Sequence, residues 1–281
     1  MKTNKDDFID AEAIAEAVQR PNMRFVPLKT HEQLDLQAVH RVRERWMSRR
    51  TALINQIRAL LLERGITVPR GPENLRQVLP EILADAENSL SGMLRALISD
   101  LQEEWKCLEV NIEKTNEQIS NAARTDESCQ RVLEVPGIGS LTATALIAAI
   151  GNGSEFRKAR DLGAWLGLVP RQFSTGGKQR LLGISKSGNN YLRQLFVHGA
   201  RAVFARLHRD RHAFGPWLTQ LDSRKKRSTT IVALANKLAR IAWAVLTTGQ
   251  PYRGTHRSPR LGLDMSMRTG MTEPQPAALR A

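Results

Sequence analysis

The sequence predicts a mainly α-helical protein, and three observations carry that prediction. Two long stretches, about 30–64 and 89–125, repeat apolar residues three and four apart, the spacing of one helix face. An Ala- and Leu-rich run from Leu141 to Ile150 stops at Gly151, as a buried helix does. Two further helical stretches, Asn189–Arg209 and Ser228–Leu246, follow it.

Taken in order, the chain opens with a helix entered through Asp6, Asp7 and Asp10, acids that suit the positive end of a helix dipole. Asp7 and Asp10, three apart, share one face. Such a pair is either a well-capped surface turn or half of a two-metal site, where hard oxygen ligands hold Mg²⁺. Pro21–Lys29 is an extended link, with Arg24–Pro27 strand-like. In the long helix from about Thr30 to Arg64, Val39, Val42, Trp46, Leu53, Ile57 and Leu60 mark an apolar seam. Its other faces carry Arg41, Arg43, Arg45, Arg49, Arg50 and Arg58, a solvated face or a nucleic-acid track. Residues 65–73 read as a loop and Glu73–Leu83 as a short helix. The helix from Ser89 to Thr125 has a seam of Leu90, Leu94, Leu97, Leu101, Leu108, Ile112 and Ile119. The two seams could pair antiparallel within one chain or between two chains; periodicity leaves both open. No internal repeat is present, and beyond Gln250 the Pro-, Arg- and Ser-rich sequence reads as a disordered basic tail.

Composition narrows the partners. The 281 residues allow two modest domains, and 41% hydrophobic content allows a core. Lysines and arginines number 42 against 28 acids, a net charge of +14 suited to a polyanion, nucleic acid first. No run of about 18 apolar residues and no hydrophobic leader is apparent, so no membrane span is expected. Cys107 and Cys129 lack metal-ligand spacing and read as reduced thiols.

The region from Val135 to Arg201 is the most informative. Pro136-Gly137-Ile138-Gly139 is a tight turn leading into a helix. Helix-hairpin-helix modules grip DNA phosphates with such a turn, through Gly137 and Gly139 here; the plainer alternative is a core corner. Ser174-Thr175-Gly176-Gly177-Lys178 reads as an exposed, glycine-softened loop flanked by Arg171, Lys178 and Arg180. A hydroxyl there could attack phosphorus with cations stabilising the developing charge, or the loop could only position phosphate. It is not a Walker A loop, since the Gly-x-x-x-x-Gly-Lys-Ser/Thr order is absent. His198, alone on its helix, reads as a packed or capping residue. Arg224-Lys225-Lys226-Arg227 is either a phosphate clamp or a solvated loop.

The Pro-Gly-Ile-Gly turn, the Gly-Leu-Val-Pro run at 167–170, Ser-Thr-Gly-Gly-Lys, and Ile-Ser-Lys-x-Gly-Asn-x-x-x-Arg at 184–193 together resemble the bacterial insertion-sequence transposases of the IS-one-ten family. These are the DEDD, RuvC-like, bridge-RNA-guided recombinases, and the resemblance covers roughly Gln130–Ala244. It implies phosphodiester cleavage and strand transfer, with Ser174 as the attacking residue; a one-residue slip would favour Thr175. Lys178, Arg180, Lys186 and Arg193 would hold phosphates. Asp7 and Asp10, followed by Ala11-Glu12-Ala13-Ile14, match the last two members of the family's acidic quartet and would bind Mg²⁺.

The first two quartet members are not found, so the resemblance implies an N-terminally truncated frame or a miscalled start. The implied organisation is a C-terminal remnant of a RuvC-like nuclease domain (1–29), a long antiparallel coiled coil (30–128), a helical transposase domain with a helix-hairpin-helix-like element (129–249) and a basic tail (250–281). The implied partners are DNA, a structured guide RNA and further copies of the chain, with no membrane, in the bacterial cytoplasm at the nucleoid. Two rivals stand beside this reading: a nucleic-acid-binding remnant that cannot cut, and a helical assembly scaffold.

Overall fold

A computed structural model describes residues 6–253 except 22, 24–26, 176, 177, 210, 211 and 213. The strand expected at Arg24–Pro27 and most of the expected tail lie outside the described residues. Ten helices and one hairpin are described: α1 (Asp7–Gln19), α2 (His31–Leu62), α3 (Pro72–Ala84), α4 (Gly92–Thr125), α5 (Glu127–Leu133), α6 (Ser140–Ile150), α7 (Ala159–Trp165), β1 (Pro170–Thr175), β2 (Lys178–Ile184), α8 (Asn190–Arg206), α9 (Gly215–Asp222) and α10 (Arg227–Thr248). The mainly α expectation holds.

α2 starts at a capping box: Thr30 Oγ1 accepts from the Gln33 amide and the Gln33 side chain accepts from the Thr30 amide. α2 and α4 lie side by side within one chain. Arg43 donates to Asn116 at 2.6 Å and Arg49 pairs with Glu104 at 2.7 Å, so one helix counts up as the other counts down and the two are antiparallel. Leu53, Ile57 and Leu61 of α2 meet Ile98, Trp105 and Leu108 of α4, and α3 closes that end with Leu75 and Leu79. The seam differs in detail from the periodic reading. Leu97 is 51% exposed and Val42 42% exposed, whereas Ile98, Trp105 and His40 point inward. A three-four pattern leaves a helix's rotation uncertain by about one residue, and packing settles it.

The second core is built around α10, which packs on α5, α7, α8 and α9. Ile231, Leu234, Ala235, Leu238, Ala239 and Ala242 form its buried face. α10 is the one described helix long and apolar enough to cross a bilayer, with mean hydropathy 1.3, against the expectation of none. Half of that stretch is buried against neighbouring helices, which accounts for its apolar character.

Two glycine contacts fix this domain's geometry. Gly137 has φ +82° and lies on Gly199 of α8; a Cβ on Gly199 would stand 1.9 Å from the Gly137 carbonyl oxygen. Gly188, with φ +76°, lies so close to α7 that a Cβ would meet the Trp165 carbonyl oxygen at 1.8 Å.

Candidate functional site

The segment expected as a loop is a β-hairpin. Pairing runs Gln172 with Leu181, Phe173 with Arg180, Ser174 with Gln179 and Thr175 with Lys178, leaving Gly176 and Gly177, outside the described residues, between the strands. Glycines at a two-residue hairpin connection are what such a turn selects. Ser174 is therefore a strand residue, and it is exposed. Its hydroxyl accepts from the Gln172 side-chain Nε2 at 2.8 Å.

Register changes the electrostatic setting expected for Ser174. Successive strand side chains alternate between faces. Ser174 therefore shares a face with Gln172 and Leu181, while Phe173 and Arg180 occupy the other, and Arg171 sits at a register irregularity between Pro170 and Gln172. Arg180 therefore flanks the serine strand from the opposite face. Phe173, Leu181 and Leu182 are 59%, 66% and 42% exposed, so the hairpin stands off the domain with apolar side chains uncovered.

The hairpin's base is held tightly. The Ser185 amide donates to Val169 at 2.9 Å and the Lys186 amide to Gly167 at 3.2 Å. Lys186, exposed, is the single described non-glycine residue at positive φ, at 56°. Ser185 and Ser187 share a hydroxyl–hydroxyl hydrogen bond of 2.9 Å beside it. Arg193 differs from expectation. Its guanidinium is only 9% exposed and donates to Leu166 O at 3.1 Å, Ser187 O at 3.0 Å and Asn190 Oδ1 at 2.7 Å. It ties the end of α7 to the 185–190 loop, and those donors are spent on protein acceptors.

The Pro-Gly-Ile-Gly turn does join two helices, α5 and α6. Ser140 is the first residue of α6; Gly139 is the cap and offers no side-chain acceptor. Gly137 is committed to α8 as described above. The open α6 N-terminus looks into a groove lined by Arg43, Arg124 and His198, but also by Glu113 and Glu117. That mixed charge is less favourable to a phosphate than the turn alone suggests.

Asp7 and Asp10 sit in the first turn of α1, both exposed, after Asp6, whose carboxylate accepts from the Phe8 amide. α1 has no buried residue, and its Phe8, Ile14 and Val18 are 85%, 65% and 64% exposed. Among the described residues no cluster of three or more His, Cys, Asp or Glu has metal-site geometry, and the carboxylates are not brought against the hairpin by any extensive packing. Two carboxylates on one face do match the few protein ligands Mg²⁺ takes when water and phosphate oxygens fill the rest of its shell.

One polar constellation was not foreseen. His40, 4% exposed on α2, touches Tyr191 Oη of α8 through Nδ1 and Thr144 Oγ1 of α6 through Nε2, each at 3.0 Å. The Thr144 hydroxyl already donates to Ser140 O at 2.6 Å, so it accepts from Nε2–H, and Nδ1 accepts from the tyrosine. Burial, and then the nearby Arg43 charge, lower the His40 pKa to about 4, so the ring is neutral. With Gln33 and Gln37 donating to Ile147 O and Ala148 O at 3.0 and 2.6 Å, this contact joins the α2–α4 pair to the C-terminal core. The sequence signal was a histidine directly beside the seam residue Val39.

Set beside known sequences, the chain falls among the transposases of insertion sequences. The model described as "Transposase IS116/IS110/IS902 family" matches residues 129–215, and a DEDD transposase model matches residues 1–65. The transposase for insertion sequence element IS1111A of Coxiella burnetii is 44% identical over 90% of this chain and 70% of its own length. A probable family 20 transposase of Pseudomonas aeruginosa is 45% identical over 90% of this chain and 75% of its own length. The IS1328 transposase of Yersinia enterocolitica is 43% identical over 89% and 74%. The chain belongs to the IS110/IS116 family of insertion-sequence transposases.

Proposed function

We propose that this chain binds DNA and catalyses phosphodiester cleavage and strand transfer, with the Ser174 hydroxyl as the attacking group. The observation that carries the proposal is the placement of Ser174: exposed, near the tip of a hairpin projecting from a rigid base. Ser174 Oγ attacks phosphorus, a seryl–phosphate bond forms, and the bond to the leaving strand's oxygen breaks. That oxygen takes up a proton as the serine proton passes to water. A second strand's hydroxyl then attacks the same phosphorus and releases the serine. Gln172, donating to Ser174 Oγ, leaves the hydroxyl's own proton free to depart. Arg171, Lys178, Arg180 and Lys186 hold flanking phosphates. Arg193 acts as a positioning residue for the 185–190 loop. Asp7 and Asp10 would hold Mg²⁺, which when bound supplies charge to offset the phosphoryl oxygens.

The domain organisation expected from sequence belongs to the same proposal: a nuclease-domain segment before α2, a coiled-coil connection, and a transposase domain. So do a structured guide RNA, assembly with further copies, and a place at the bacterial nucleoid. Exposed Met93 and Leu97, one turn apart on α4, give such an assembly an apolar contact.

A second reading, in which the chain holds DNA without cutting it, is favoured by one observation: among the described residues α1 and the hairpin share no extensive packing. Strand exchange on supercoiled DNA with Mg²⁺ tests both. The proposal expects product from the wild type and none from Ser174→Ala. Equal product from both removes Ser174 from the chemistry; binding with no product from either supports the second reading.

A further inference from the structure

A second cationic site lies at the other end of the helix pair. Arg50, Thr51, Ile54, Asn55 and Arg58 lie along one side of α2 and line a cleft of about 540 Å³ completed by Arg70, Gly71 and Pro72. Three arginines line it, and no carboxylate does. Arg58 is held in place by Val68 O, Pro69 O and Gly71 O at 3.0, 2.7 and 2.6 Å, neutral acceptors that leave its charge uncompensated. Arg70 is exposed. Arg50 Nε is buried without a hydrogen-bond partner. A buried donor left unmade costs roughly 1–3 kcal/mol, and like charges brought together add to that cost. An anion in the cleft would offset both.

Two further features favour an anion. α3 begins at the cleft, with Gly71 as an N-cap that supplies no side-chain acceptor and Pro72 in its first turn. Glu73 lies in that first turn and pairs with Arg76 at 3.2 Å, so the helix end offers backbone N–H donors more than free dipole charge. Asn55 and Thr51 add polar groups along the wall. The cleft is an open trough, which suits a strand running through it better than an enclosed free ion. It lies about 15–27 Å along α2 from the level of His40, at 1.5 Å per residue, and so is well separated from the contact with the C-terminal core.

We propose that the Arg50–Arg58–Arg70 cleft binds a backbone phosphate of nucleic acid, anchoring the strand away from the hairpin. The inference rests on the reading that the chain binds nucleic acid.

The test compares the full wild-type chain with Arg50→Lys, Arg70→Gln and the double variant. Affinity for a 30-bp DNA duplex and for a structured RNA hairpin would be measured against salt concentration. Removing one phosphate contact lowers the slope of log affinity against log salt by about 0.9 on duplex DNA and about 0.7 on single strands. Arg70→Gln should lower it by that amount, with an unchanged thermal midpoint. Arg50→Lys keeps a charge but loses the buried Nε donor. It should weaken binding several-fold at fixed salt while leaving most of the slope. Loss on the DNA identifies that strand as the occupant, and loss on the RNA identifies the other. Slopes and affinities equal to wild type on both nucleic acids overturn the proposal. A wild type that binds neither refutes the broader nucleic-acid reading instead.

Discussion

The junction at His40 makes stability depend on pH in a way that can be worked out. His40 is buried and neutral, with its pKa lowered from 6.5 to about 4. A depressed folded-state value means that protonation favours the unfolded chain. The stabilisation is therefore fully present above pH 6.5 and is lost as pH falls from 6.5 towards 4. At pH 5.5, one unit below the unfolded value, the loss is about 1.4 kcal/mol, and at pH 4.5 it is about 2.5 kcal/mol. Other groups titrate in this range, so the measurement is a difference. Urea unfolding of the wild type and of His40→Gln would be followed by tryptophan fluorescence at pH 7.5, 5.5 and 4.5. Glutamine cannot titrate, so the variant should be the less stable at pH 7.5 and the gap should narrow by about those amounts on acidification. Parallel pH profiles would refute the assignment of His40 as a buried neutral bridge.

Three further outcomes follow from the geometry. Gly199→Ala places a methyl 1.9 Å from the Gly137 carbonyl oxygen, so α8 or the turn must shift; despite alanine's better helix propensity, the thermal midpoint should fall by several degrees, for a cost of about 1–3 kcal/mol. Arg180→Ala should lower the salt slope of DNA binding by about one without changing the midpoint, whereas Arg193→Ala should lower the midpoint, because its guanidinium holds Leu166 O and Ser187 O. Under native conditions a thiol reagent should label exposed Cys107 quickly and leave Cys129 unlabelled, because burial, with Asp126 beside it, pushes the Cys129 pKa up to about 12; equal labelling rates would contradict its place in the core.

The helices were legible because their signals are local. The long three-four seams and glycine at 151 each act within a turn or two, and α2, α4 and α6 fall within a few residues of their expected bounds. The hairpin was missed as a hairpin. Phe173 stands alone among polar residues and Leu181 and Leu182 are adjacent, all three exposed, so no alternating core-facing pattern marks the strands. The site was legible in residue type and not in direction: Arg180 stands near Ser174 in sequence yet faces away from it by register, and Arg193, three residues into α8, is spent on carbonyls contributed by other segments. His40 bridges residues 104 and 151 positions away, a relation that periodicity cannot express. Arg70 joins Arg50 and Arg58 only through the loop that brings α3 back onto α2.

The chemistry turns on whether the serine on β1 bonds to DNA. A duplex carrying a strand break that lets the leaving piece diffuse away would trap the protein–DNA link, and protease digestion with mass spectrometry would locate it. A nucleotide-modified peptide with the mass addition on Ser174 is the predicted result. An addition on Thr175 or another residue, or no covalent product from a wild-type protein that binds the duplex, would contradict it.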